Sequence, residues 1–126
     1  MLDKKISIRA NIANLKPLKE ENVEEKFQNE VLRPVIKLQN TLIIMCFEHF
    51  LNKLKLDLQV LDKNKKNELI IGLFNKNREL TIELRGLIIG LFTLDEYSYY
   101  LKVRSKINKR ISSIILKRVQ DYFINI

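Results

Sequence analysis

Leu84-Arg-Gly-Leu-Ile-Ile-Gly-Leu-Phe-Thr-Leu-Asp-Glu-Tyr97 is the stretch whose reading decides the fold. An apolar helical pattern carrying two glycines runs here into the best helix start of the chain. Thr93 with Glu96 three residues on makes a capping box: the threonine oxygen accepts from the Glu96 amide, and the Glu96 carboxylate reaches back. Leu87-Ile-Ile-Gly-Leu-Phe92 also repeats Leu69-Ile-Ile-Gly-Leu-Phe74 letter for letter. These features specify helix packing. They do not specify a reaction.

Beyond Thr93, the residues Tyr97, Tyr100, Leu101, Ile107, Ile111, Ile114, Ile115, Tyr122 and Phe123 keep the helical period without a glycine or proline. One helix over residues 94–123 is predicted. Upstream, a helical pattern covers residues 78–92, and Asn75-Lys-Asn77 is a weak break from the helix before it, which Asp62 can cap. Leu54, Leu56, Leu58 and Val60 alternate with polar residues, so residues 54–60 read as an extended connection. The first helix is predicted over residues 23–53, opened by Asn22 and Glu25 and kinked at Pro34, whose ring clashes with the preceding turn. After Pro34 it is apolar nearly all round, apart from a strip with Lys37 and Glu48, as a buried central helix would be. Ile6, Ile8, Ala10 and Ile12 alternate in the same way before Pro17. Residues 1–21 are therefore read as an extended arm, which can pair with residues 54–60 or with another chain.

The expected fold is mainly α: a bundle of four or five helices with a kinked first helix, an extended N-terminal arm and at most a minor two-stranded ladder. Residues 22–126 form its single helical domain.

Phe27-Gln-Asn-Glu-Val-Leu-Arg-Pro-Val-Ile-Lys-Leu-Gln-Asn40, with Arg85-Gly-Leu-Ile-Ile-Gly-Leu-Phe-Thr93, Glu96-Tyr97 and Asn108-Lys-Arg110, resembles a small group of uncharacterised, mainly helical bacterial proteins. Some members carry the label "glyoxalase". The resemblance covers most of the chain after Val23 and implies a helical fold without an established activity. A metal-dependent glyoxalase of the βαβββ type needs several His and Glu ligands on paired β-units. This chain has one His and mostly helical patterning.

At 126 residues the chain suits one domain. Its longest apolar run, the six residues 42–47, is too short to cross a bilayer. The N-terminus shows no apolar block like that of a signal peptide. One cysteine excludes an internal disulfide framework, and a cytoplasmic location is the default expectation. The net charge of +8 is unevenly placed: ten basic residues against eight acidic through Leu61, thirteen against seven from Asp62 on. Such an excess suits anionic partners.

Four groups of residues are candidates for a site. Gly72, Gly86 and Gly90 lie inside helical patterns, and Gly86 with Gly90 shares a face where another helix backbone can approach closely. Cys46 and His49 stand one turn apart, but the chain holds no second Cys or His to complete a metal site, so no metal and no cofactor is expected. Arg104 and Arg118 fall on the stripe of Ile111, which predicts interior arginines paired with Glu83, Glu79 or Glu30, or with an anionic small molecule. Lys102, Lys106, Lys109, Arg110 and Lys117 form a basic stripe on the opposite face, without interleaved aromatics. Three functions follow in order of support. The first is a non-enzymatic helical protein that self-associates as a homo-dimer or docks a partner. The second is a nucleic-acid-binding module using the basic stripe. The third is anionic-ligand binding, or a lyase-type enzyme, at Arg104 and Arg118.

Overall fold

Short polar side chains set where the helices begin in the computed structural model, which describes residues 22–125. The elements are α1 (Val23–Phe27), a π-turn (Gln28–Leu32), α2 (Arg33–Leu38), α3 (Asn40–Lys53), a 3-10 turn (Leu58–Val60), α4 (Lys63–Lys76), α5 (Arg78–Ile89), α6 (Leu94–Lys102) and α7 (Arg104–Ile124). The protein is a mainly α helical bundle, with no strand among the described residues. The extended arm and its pairing with residues 54–60 fall on residues 1–21, outside the described residues.

The caps are local and follow the sequence. Asn22 accepts from the Glu25 amide at 2.7 Å, and Asp62 from the Lys65 amide at 2.8 Å. Asn77 closes α4 and opens α5, accepting from the Leu80 amide at 3.1 Å, so the first copy of the hexapeptide lies on α4, while the second begins at the end of α5 and runs on into the turn after it. Both halves of the Thr93–Glu96 box are present, at 3.2 and 2.8 Å. Each such cap contributes about 1 kcal/mol.

The first long helix is bent in two places. Pro34 has no amide to donate and its ring crowds the turn before it, and the backbone widens one turn upstream. There the Arg33 amide donates to the Gln28 carbonyl, five residues back. The second bend is at Gln39 (φ −90°, ψ 8°), whose side-chain amide donates to the Leu87 carbonyl at 3.0 Å. The Leu91 amide has turned to Ile88 instead, so Gln39 satisfies a carbonyl that the end of α5 leaves over.

Four expectations change. Residues 54–60 are not extended: Lys55 takes a left-handed conformation (φ 58°), and the amides of Leu56 and Lys55 return to the carbonyls of Leu51 and Asn52 at 2.9 and 3.0 Å. That is a Schellman stop followed by a 3-10 turn, which buries Leu58 and leaves Leu54 and Val60 exposed. The last helix breaks at Val103 (φ −129°, ψ 35°) without a glycine or proline. The break lays α6 across α1 and the 91–93 turn, so that Phe27 meets Tyr99 at a tilt and Phe92 meets Tyr100 edge to face. The Tyr100 hydroxyl then donates to Asn108 Oδ1 at 2.7 Å across the break. Third, α3 is not buried on most sides. It packs inward with Ile43, Ile44, Phe47, Phe50 and Leu51, and its outer face stays open. Fourth, a methyl added at Gly72 or Gly86 would meet nothing within 4 Å among the described residues. At Gly90 it would meet only the Gly86 carbonyl of its own helix, at 3.1 Å. The glycines mark no close helix crossing there.

The core runs along α7. Ile107, Ile111, Ile115 and Val119 are shielded completely, facing α2 to α5. Burying each contributes about 1.5–3 kcal/mol. Buried Lys66 of α4 donates to the Phe123 carbonyl at 3.4 Å, tying α4 to the end of α7. No helix among the described residues is long and apolar enough to cross a membrane.

Gly86 lies exposed within α5, where alanine is the better helix former. Gly86→Ala therefore raises stability by about 0.5–1 kcal/mol in denaturant unfolding. A loss of about 1 kcal/mol or more would restore the close-crossing assignment.

Candidate functional site

Arg104 and Arg118 do not meet. The buried row on α7 repeats every fourth residue, so it turns by about 40° at each step while a straight line through Ile111 does not. Arg104 and Arg118 lie on that straight line and leave the row on opposite sides. Arg104 is exposed, with its guanidinium 5.9 Å from the centre of the Tyr100 ring. Arg118 is half-buried and donates to Asn40 Oδ1 at 3.1 Å. Glu83 and Glu79 are exposed on α5, and Glu79 pairs with Lys53 at 3.6 Å, so the expected interior Arg–Glu pairing is absent among the described residues. Glu30, half-buried in the π-turn, is no partner of either arginine.

Each arginine lines a different cavity. Arg118 borders a groove of about 1140 Å³ between α2 and the C-terminal half of α7. Arg33, Lys37 and Lys117 supply three more cations, Asp121 the acid, and Pro34, Leu38, Ile114 and Tyr122 the apolar walls. Arg33 is held by Asn29 Oδ1 at 3.3 Å. Lys117 leans on Asp121 at 3.3 Å, both largely exposed, a contact worth little in water. Arg33, Lys37 and Asn40 escaped the sequence reading because α2 and α7 meet only in the fold. Arg104 borders a shallower hollow of about 590 Å³ with Arg85, Lys109, Asn108, Ser105 and Ser112.

The basic stripe is not one open face. Lys102 belongs to α6, beyond the Val103 break. Lys106 and Arg110 converge on Glu24 of α1 at 3.1 and 3.3 Å, and Arg110 also donates to Gln28. The Lys106 hydrogen bond, with help from Arg110, holds the Glu24 carboxyl below its usual value of 4.5 against some desolvation. Lys109 stays exposed.

Cys46 and His49 form no pair. His49 is exposed, its ring edge-on to Phe50 at 5.9 Å. Burial, and then the nearby Glu83 charge, push the Cys46 thiol up to about 11, so at neutral pH it is a protonated thiol and not a nucleophile. No group of three or more His, Cys, Asp or Glu among the described residues could hold a metal ion.

A second surface adjoins the groove at Leu38. Leu38, Leu42 and Met45 stand in one row down the outer face of α2 and α3, 38%, 47% and 60% exposed. The neighbouring α5 runs antiparallel to α3, joined by Lys53–Glu79 at one end and Gln39–Leu87 at the other. Its own outer face presents Ile82 and bare Gly86.

Comparison with known protein families, curated proteins and solved structures finds no match.

The Glu24 clamp joins α1 to α7, and its sign in pH is fixed. A carboxyl held lower in the fold than in the unfolded chain adds stability above the ordinary value of 4.5, and loses it as pH falls through the lowered one. In thermal melts from pH 7 down to pH 3, about the range of carboxylate titration, Glu24→Gln therefore loses less stability than the parent. Parallel curves would mean that Glu24 carries no such linkage.

Proposed function

We propose that the chain is a non-enzymatic helical protein that pairs with a second copy of itself through the outer face of α3. The observation behind this is the row Leu38, Leu42 and Met45, three large apolar side chains left in water on one side of a well-packed helix. A clustered row of that kind marks an interaction surface, where scattered apolar residues would not. Ile82 beside the bare Gly86 widens the row without raising a ridge against an incoming helix.

A second copy is the occupant that the charges favour. Exposed Lys37 flanks the Leu38 end of the row, and Glu48 flanks the Met45 end. A two-fold contact about Leu42 lays the row against itself in reverse and brings Lys37 of one copy toward Glu48 of the other. Such isologous contacts are the commonest way for a soluble chain to cover a face. The free Cys46 thiol suits a reducing compartment such as the cytoplasm. Membership of the small helical bacterial group belongs to the same proposal and adds no activity to it.

Light scattering at micromolar concentration gives a particle of twice the 15.0 kDa chain mass. Replacing Leu42 and Met45 by Glu together puts two charges into the contact and weakens the dimer at least about a hundredfold, roughly 3 kcal/mol, with unchanged helicity. A clean 15.0 kDa particle for the parent chain would overturn the proposal.

A further inference from the structure

We propose that the groove between α2 and the C-terminal half of α7 binds a soluble phosphate ester with several negative charges and a flat apolar body, the chemistry of a nucleoside di- or triphosphate. The charges come first. Arg33, Lys37, Lys117 and Arg118 face one acid, Asp121, so the groove carries a net excess of three positive charges. A singly charged carboxylate would leave most of that excess unmatched, whereas two or three linked phosphates meet it.

The arginines are set for such a head. Both guanidinium groups are held by neutral amide oxygens, Arg33 by Asn29 and Arg118 by Asn40. An amide oxygen fixes the plane of a guanidinium without cancelling its charge, so the remaining N–H donors stay available for bidentate contact with phosphate oxygens. Neither arginine has a carboxylate partner among the described residues. This distinguishes them from Lys106 and Arg110, equally basic, whose charge is spent on Glu24.

The walls account for the rest of the ligand. Pro34, Leu38 and Ile114 offer an apolar surface, and the half-exposed Tyr122 ring stands at the end of the groove where a flat ring can stack. Ser113 adds a hydroxyl. The volume of about 1140 Å³ exceeds what one drug-sized molecule needs, which leaves room for a hydrated polyphosphate. The hollow around Arg104 has the cations, but neither an aromatic nor an aliphatic residue lines it.

Calorimetric titration of the full chain with ATP, inorganic triphosphate, a short single-stranded oligonucleotide and phosphatidylglycerol vesicles tests the proposal. ATP binds with a Kd on the order of 10–100 μM at low salt. Arg118→Gln and Arg33→Gln each weaken it by about tenfold. Lys102→Gln, the same loss of charge outside the groove, changes it less than about twofold. Tyr122→Ala weakens ATP but leaves triphosphate unchanged, since the bare head has no ring to stack. Exposed Arg33 carries the test if Arg118→Gln loses its helicity. Leu42→Ala with Met45→Ala removes the apolar row without adding charge beside the groove and keeps the ATP affinity within about twofold, so this site stands or falls apart from self-pairing. No heat with millimolar ATP would overturn the proposal. So would equal losses from Lys102→Gln and Arg118→Gln, or tighter binding to the oligonucleotide or the vesicles than to ATP.

Discussion

One row of β-branched side chains on α7 carries the rest of the structure. Ile107, Ile111, Ile115 and Val119 are completely shielded, and the helices α2 to α5 are placed by what they bring against them. Repeating every fourth residue on a helix with 3.6 residues per turn, the row winds round α7 instead of running straight down it. The surrounding helices follow that winding. Aromatic clusters close the two ends: Phe27, Phe92, Tyr99 and Tyr100 near the start of α7, and Phe47, Phe74 and Phe123 near its finish. The same winding sends Arg104 and Arg118 to opposite sides and gives the molecule two separate basic hollows in place of one interior site.

Polar groups then decide where helices stop and how they join. Asn22, Asp62, Asn77 and Thr93 each satisfy an amide that a helix start leaves over. Gln39 does the complementary work at the end of α5, reaching from the α2–α3 bend to the Leu87 carbonyl. That single hydrogen bond links the bend to the antiparallel neighbour of α3. The inward packing of Ile43, Ile44, Phe47, Phe50 and Leu51 fixes which face of α3 looks outward, and so where Leu42 and Met45 are shown to solvent.

What was legible in the sequence was local. Caps operate over three residues, so Thr93–Glu96, Asp62 and Asn22–Glu25 could be read directly, Asn75 to Asn77 was legible only as a weak break, and Pro34 announced its bend. Features set by distant contacts could not. Nothing in Leu101-Lys-Val103 breaks a helix; the aromatic contacts with Phe27 and Phe92 turn the chain there. Leu54 to Val60 alternates like a strand, yet it folds as a helix stop and a 3-10 turn that bury Leu58 and leave Leu54 and Val60 exposed. The stripe from Lys102 to Lys117 has no acid of its own, yet Glu24 arrives from α1 to neutralise its middle. Arg33 and Lys37 became part of a groove only when α7 was laid beside them.

On one side of the molecule, around the α2–α3 bend, an apolar row and an open cationic groove meet at Leu38. The most direct measurement is mild air oxidation of a Cys46→Ser chain carrying either Leu42→Cys or Val60→Cys. Both positions are exposed, but only Leu42 belongs to the row, and a two-fold about it sets the two copies of that position face to face. The account predicts rapid formation of an intermolecular disulfide from Leu42→Cys and slow formation from Val60→Cys. Equal rates at the two positions would contradict it.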